Sequence, residues 1–200
     1  MIRVAITGNM GSGKTVVADV IRHLGFPVYV ADQEARRLMR QPEIIMHLTD
    51  RFGLEILTHD GLPDPKKIAA KVFGDEASLQ WLNGLVHPAV MRDFDRWCNQ
   101  QNDQKMVCME SAIVYESGLA HHFDKVLLVA APKNVMIARV MERDQITQAE
   151  VEARMQHQWP PSKKSSLADI TLENDGNTLL VPKVIQAVEA LLEEPLGMVY

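Results

Sequence analysis

The sequence predicts an α/β protein with a parallel sheet at its centre, and three observations say so. An apolar, β-favouring run, Ile2–Thr7, leads into a glycine-rich segment and then into a helix. A second short strand, Pro27–Val30, follows that helix, so the chain opens as strand, loop, helix, strand. Apolar runs at Met106–Met109, Val126–Ala130 and Ile170–Leu172 supply further strands, separated by stretches long enough for helices.

Each element has a local reason. Val16, Val17, Val20, Ile21 and Leu24 recur at helical spacing, and Gly25 ends that helix. Asp32 stands where an N-cap belongs, for a helix through Met39. From about Pro42 to Gln104 the chain is mostly helical, broken by the Gly/Pro-rich turn His59–Pro65. Ile68, Val72 and Phe73 suit one helix there; Leu79, Leu82, Leu85 and Val86 suit a second; Pro88 would open a third. A helix is predicted from about Lys133 to Arg143, and a polar one over Thr147–Gln158. Pro160–Ser166 reads as a mobile excursion. Asn174–Asn177 is a turn, and Leu180, Val184, Ala187, Val188 and Leu191 share one face of a closing helix over Leu179–Leu192.

Composition bounds the function. The chain has 200 residues, 21 Lys plus Arg against 26 Asp plus Glu, and a net charge of −5. That balance argues against a general nucleic-acid binder, which presents a basic face. An anionic ligand stays open, because a phosphate site needs only local positive charge. Cys98 and Cys108 form no CxxC and no zinc-spaced cluster, so two reduced thiols are expected. His121-His122 lacks a third ligand at suitable spacing. The eleven Met read as core filler. No run reaches the ~20 apolar residues of a membrane span, and Met1–Thr7 does not read as a signal peptide. A cytoplasmic protein without membrane or nucleic-acid partners is expected, as a monomer or weak homo-oligomer.

The motif that carries chemistry is Gly8-Asn9-Met10-Gly11-Ser12-Gly13-Lys14-Thr15. It matches GxxxxGK[ST] and lies between a strand and a helix, as a phosphate-binding loop must. Loop N–H groups and the helix N-terminus favour an anion. Lys14 supplies a point charge to the β- and γ-phosphates, and the Thr15 hydroxyl can ligate Mg²⁺. No Asn-Lys-x-Asp motif marks a GTPase, and the chain is short for a motor, so small-molecule kinases lead. Glu110, ending Met106–Glu110, could hold a metal-bound water or cap the strand. Asp32 lies past the end of the second strand, at the sheet edge where ligands bind. It could take a proton from a substrate hydroxyl, or only cap its helix. Arg36, one turn on, could hold an anionic group or pair with Asp32. Arg139 and Arg143 could equally be a solvated helix face. Trp81 could stack on a ligand or fill the core. A kinase for another small hydroxyl acceptor, nucleoside or shikimate-like, remains an alternative. So does a non-catalytic nucleotide-dependent switch.

Taken together, Gly8–Thr15, Asp32-x-x-x-Arg36, Phe52-Gly53, Val72-Phe73, Leu82-Asn83-x-x-x-His87-Pro88, Arg139-x-x-x-Arg143, Ala168-Asp169 and Asn174-x-Gly176 resemble the dephospho-coenzyme A kinase family in order and spacing. The resemblance implies a three-layer P-loop fold with a parallel sheet core, a helical acceptor-binding insertion and a lid. The whole would be one kinase domain over residues 1–200: core at about 1–40, 105–143 and 167–200, CoA-binding insertion at about 42–104, lid at about 144–166. It implies transfer of the ATP γ-phosphoryl to the ribose 3′-hydroxyl of dephospho-CoA, with Mg²⁺. Asn9, Met10, Gly11, Ser12, Gly13, Lys14 and Thr15 would bind the ATP phosphates, and Asn174 would lie beside the adenine. Asp32 would be the base and Arg36 would sit near the acceptor's phosphates. His87 and Pro88 would lie in the acceptor region. Arg139 and Arg143 would serve the transferring group from the helix that feeds the lid. This sequence departs from the family pattern in three places. Val30 stands where the first acid of Asp-Ala-Asp is usual. Ala112–Glu116 replaces a Pro-Leu-Leu-acid run. Lys163 and Lys164 stand in a stretch where lid arginines are common, and the expectation is that they supply charge without a bidentate fork.

Overall fold

The protein is described by a computed structural model covering residues 1–193. Five parallel strands, β1 (Ile2–Thr7), β2 (Val28–Val30), β3 (Met106–Glu110), β4 (Lys125–Ala130) and β5 (Ile170–Glu173), form one sheet in the order β2-β3-β1-β4-β5. Every residue of β3 is buried, as expected of an inner strand covered on both faces. Residues alternate across the sheet. Val4 and Ile6 pack with Val17, Ala18 and Ile21 of helix α1 (Lys14–His23), and in the same cluster lie Val184, Ala187, Val188 and Leu191 of the closing helix (Leu180–Leu192). Ala5 faces the other way, into a cluster with Val114, Tyr115 and Val126.

The chain separates into two compact units: Met1–Val30 with the chain from Gln101 onward, and Ala31–Gln100. The second unit is helical: α2 (Ala31–Leu38), α3 (Pro42–Phe52), α4 (Pro65–Val72) and α5 (Glu76–Asn99). Its core gathers Leu38, Leu48, Phe52, Ile56, Ile68, Val90 and Phe94. The Asp64 carboxylate accepts the N–H groups of Lys66 and Lys67, and Asp75 accepts that of Ser78, starting α4 and α5. Trp81 packs edge-on to Phe52 at 5.3 Å, an aromatic contact within this unit.

Three local expectations are corrected. Pro88 does not open a helix; it lies inside α5, which runs unbroken for 24 residues. The missing amide costs the Gly84 carbonyl its helical partner. Buried Val86 on one side, and Ala89, Val90, Met91, Phe94 and Cys98 on the other, keep the chain helical through it. Asp32 is not an N-cap but the second residue of α2, where with Glu34 it meets the positive end of the helix. Pro160–Ser166 is not an irregular excursion: Pro161–Ser165 is a short helix whose Lys164 is fully buried. In the first unit, α6 (Lys133–Asp144) and α7 (Gln148–Met155) follow β4. A reciprocal capping box between Thr147 and Glu150 starts α7. The short helix is α8 and the closing helix α9. Among the described residues no helix is long and apolar enough to cross a membrane.

Candidate active site

The loop Gly8–Thr15 joins β1 to α1 and forces tight packing. Gly11 and Gly13 have φ of 76° and 97°, open mainly to glycine. A Cβ on Gly11 would lie 2.4 Å from the Met136 carbonyl oxygen, and one on Gly13 2.1 Å from Asn174 Nδ2. Gly13 is also the left-handed N-cap of α1, which has no side-chain cap and no acid in its first turn. The helix therefore presents bare N–H groups and an uncancelled dipole, an anion site. Lys14 Nζ donates to the Asn9 carbonyl at 3.2 Å, folded over the loop.

Parallel pairing sets Glu110, the last residue of β3, beside Ile6 of β1. That brings its carboxylate to the loop, where the Thr15 hydroxyl donates to Glu110 Oε1 at 3.1 Å. Glu110 is 8% exposed, and its Oε2 is buried without a partner. An orphaned carboxylate oxygen beside a hydroxyl is a hard-oxygen pair that fits a divalent cation. No trio of His, Cys, Asp or Glu gathers among the described residues, so such an ion would fill its shell with water and phosphate oxygens.

A second brace comes from β5 and α6. Asn174 Nδ2 donates to the Ser12 carbonyl at 2.8 Å. Arg139 Nη1 donates to the carbonyls of Gly11 and Asn174, both at 3.3 Å, and Nη2 to Asn174 Oδ1 at 3.4 Å. The Asn174 amide is thus committed to the loop. Arg143, one turn beyond Arg139, forks onto Asp144 at 2.7 and 3.1 Å. That pairing raises the Arg143 pKa and, mainly through the Arg143 hydrogen bond, lowers that of Asp144.

On the loop's other side, Asn9 Nδ2 donates to the Trp159 carbonyl and the Met10 N–H to Gln158 Oε1, both at 3.0 Å. A cavity of about 500 Å³ adjoins, lined by Asn9, Met136, Met155, Trp159, Pro160 and Pro161 among others. The two lysines expected to offer charge here are both engaged by protein groups. Lys164 is buried against Glu116 and the Ala112 carbonyl, and the Lys163 ammonium lies 3.3 Å from the centroid of the Trp159 ring. Gln158 escaped the reading of the sequence, and so did the pairing of Lys164 with Glu116. Ser-Lys-Lys-Ser looks solvated, and no local signal marks one of its lysines as interior.

Asp32, Arg36, His87 and Pro88 all belong to the helical unit. Asp32 and Arg36 are exposed, four residues apart on α2, and they do not pair with each other. His87 is half-buried within α5, and burial pushes its pKa down. Pro88 is exposed in mid-helix. The rings of His121 and His122 lie 4.0 Å apart, tilted by 37°, with the Gly118 carbonyl 2.7 Å from His121 Nδ1. Cys98 and Cys108 are free and buried, and burial pushes the Cys108 thiol up to about 12.

A family model described as Dephospho-CoA kinase matches residues 2–179. A Bacteroides fragilis protein named Dephospho-CoA kinase is 30% identical over 194 residues, which cover 96% of this chain and 94% of that one. The crystal structure of a Thermus thermophilus protein superposes with a TM-score of 0.84 at 33% identity, over 96% of each chain. A structure titled as the dephospho-CoA kinase of Campylobacter jejuni superposes at 0.70, with 20% identity over 96% of this chain and 97% of that one; at that identity the likeness concerns the fold.

Proposed function

This chain belongs to the dephospho-CoA kinase family, and from that premise we propose how its own residues carry out the transfer. The enzyme moves the γ-phosphoryl of ATP to the ribose 3′-hydroxyl of dephospho-CoA, giving coenzyme A and ADP. The observation that carries the reading is the convergence of Lys14, the Thr15–Glu110 pair and the Arg139–Asn174 brace on one glycine loop.

The N–H groups of residues Asn9–Thr15 bind the triphosphate, and Lys14 leaves the Asn9 carbonyl for the β- and γ-phosphate oxygens. Thr15 and Glu110 would hold a divalent cation such as Mg²⁺, which would supply positive charge against the phosphates. Arg139 adds cationic charge beside the loop where negative charge builds on the transferring group. Arg143 contributes only by exchanging Asp144 for phosphate. Asp32 takes the proton of the 3′-hydroxyl, and its exposed carboxylate has no competing cation on Arg36. Arg36 holds acceptor phosphate, and His87 and Pro88 lie in the acceptor-binding part of the helical unit. Asn174 bounds the adenine site from its post on the Ser12 carbonyl. Residues at about 144–166 act as the lid that excludes water, because an open site hydrolyses ATP. We infer a cytoplasmic enzyme, monomeric or weakly associated.

The test is direct. ATP, Mg²⁺ and dephospho-CoA with the purified protein yield coenzyme A and ADP in equal amounts, while shikimate or a nucleoside gives no comparable ADP release. ADP without coenzyme A would overturn the assignment.

A further inference from the structure

One short stretch, Gln158–Trp159, is bonded on two sides. Toward the phosphate loop it accepts from the Asn9 side-chain amide and the Met10 N–H, each at 3.0 Å. On its other side the Trp159 N–H donates to Glu116 Oε1 at 2.7 Å. The same oxygen meets Lys164 Nζ at 2.8 Å, and that ammonium also donates to the Ala112 carbonyl at 2.8 Å. The Lys164 side chain is 0% exposed and that of Glu116 12%. The Trp159 ring is stacked nearly parallel to Tyr115, with centroids 6.2 Å apart.

A buried ion pair is a weak source of net stability, because stripping water from both charges offsets their attraction. It is well suited to fixing a position. Here a single carboxylate oxygen receives a buried ammonium and a backbone N–H together. The second oxygen, Glu116 Oε2, is buried with no partner. The geometry of the carboxylate is thus set by what Oε1 receives, and one of those two donors belongs to Trp159. None of the phosphate chemistry assigned to the loop uses these groups. Glu116 reaches the loop only through Trp159, and Lys164 only through Glu116.

We propose that Glu116 and Lys164 are positioning residues for ATP: they clamp Gln158–Trp159, which in turn holds Asn9 and Met10 in the shape that binds phosphate. The loop is then preorganised, and ATP need not supply the ordering of its first half on binding. The proposal rests on the kinase reading of the same loop.

Two double variants isolate the clamp, Glu116→Gln with Lys164→Met and Glu116→Leu with Lys164→Met. Both remove both buried charges. Only the first keeps an oxygen that accepts the Trp159 N–H. The first is expected to hold its KM for ATP within about twofold of the parent, and the second to raise it about tenfold, the equivalent of one hydrogen bond. In both, kcat and the KM for dephospho-CoA stay within about twofold, a split that a general loss of structure does not produce. Equal KM values for ATP in the two doubles overturn the proposal, as does a loss confined to kcat. If either double fails to fold by circular dichroism, Gln158→Leu takes its place, since it removes only the acceptor of the Met10 N–H at a half-buried position. A several-fold rise in ATP KM is expected there, and an unchanged value overturns the clamp. A parent enzyme that makes no coenzyme A counts against the kinase reading instead. The clamp is then still judged by calorimetric titration of ATP into the same variants.

Discussion

Around the phosphate loop, four polar side chains are spent on other protein groups, whereas in the helical unit Asp32 and Arg36 stand exposed, bonded to no other side chain among the described residues. Asn174 holds Ser12, Arg139 holds Gly11, Thr15 holds Glu110 and Gln158 holds Met10. The contrast follows from what each region must do. A polyphosphate is bound by dipoles fixed in advance, so rigidity favours affinity. A general base must accept a proton, so its lone pairs have to remain free until the hydroxyl arrives.

Substitutions can break this contrast from either side. The largest effect is expected from Asp32→Asn, which keeps shape and removes basicity: turnover falls by ~10² or more while ATP affinity holds, measured by steady-state kinetics and titration. Turnover near that of the parent would take Asp32 out of the base role. Gly13→Ala strikes the rigid side. Its methyl would enter the space of Asn174 Nδ2 at a φ of 97°, and ATP affinity is expected to drop ~10- to 100-fold, in line with strain of 1–3 kcal/mol. Calorimetry reads it directly. Arg139→Lys comes next, with about a tenfold fall in kcat because the planar fork that spans Asn174 and Gly11 is gone. Arg143→Lys should cost only a few-fold, since Arg143 is already engaged by Asp144; the reverse ranking would move the key cation along α6.

The smallest effect concerns stability. Burial depresses the His87 pKa below its ordinary 6.5, so the unfolded chain binds a proton more readily than the folded one. Stability is therefore highest above pH ~6.5 and is lost as pH falls through that value toward the lower folded pKa. In His87→Gln that acid-side decline should be shallower by urea denaturation at pH 7.5 and pH 5.5. Parallel curves would show that the imidazole carries none of it.

Much of this was legible in the residues. The strand before Gly8 and the helix after Thr15 are short-range features, and so is the face formed by Val184, Ala187, Val188 and Leu191. Local spacing encodes them, and tertiary packing agrees. Pro88 shows the limit. Its propensity says helix start, yet the buried face from Val86 to Cys98 outweighs one missing hydrogen bond. Lys164 shows it again. A lysine between serines and another lysine looks solvated, and only Glu116, from a distant part of the chain, makes it interior. Asn174 was expected beside the adenine from the resemblance alone, and its bond to Ser12 joins positions 162 apart, which no local pattern encodes.

That last span has a consequence for the order in which the protein is made. The loop at residues 8–15 is synthesised long before three of its braces, which arrive with Arg139, Gln158 and Asn174. A nascent chain stopped before β5 would carry the glycine motif in full and still lack the amide that holds the Ser12 carbonyl. Competence to grip a nucleotide is therefore acquired late in synthesis, when β5 takes its place beside β4. Nucleotide retention by stalled chains of increasing length should rise in a step once residue 174 has cleared the exit tunnel, making ATP a reporter of a finished sheet.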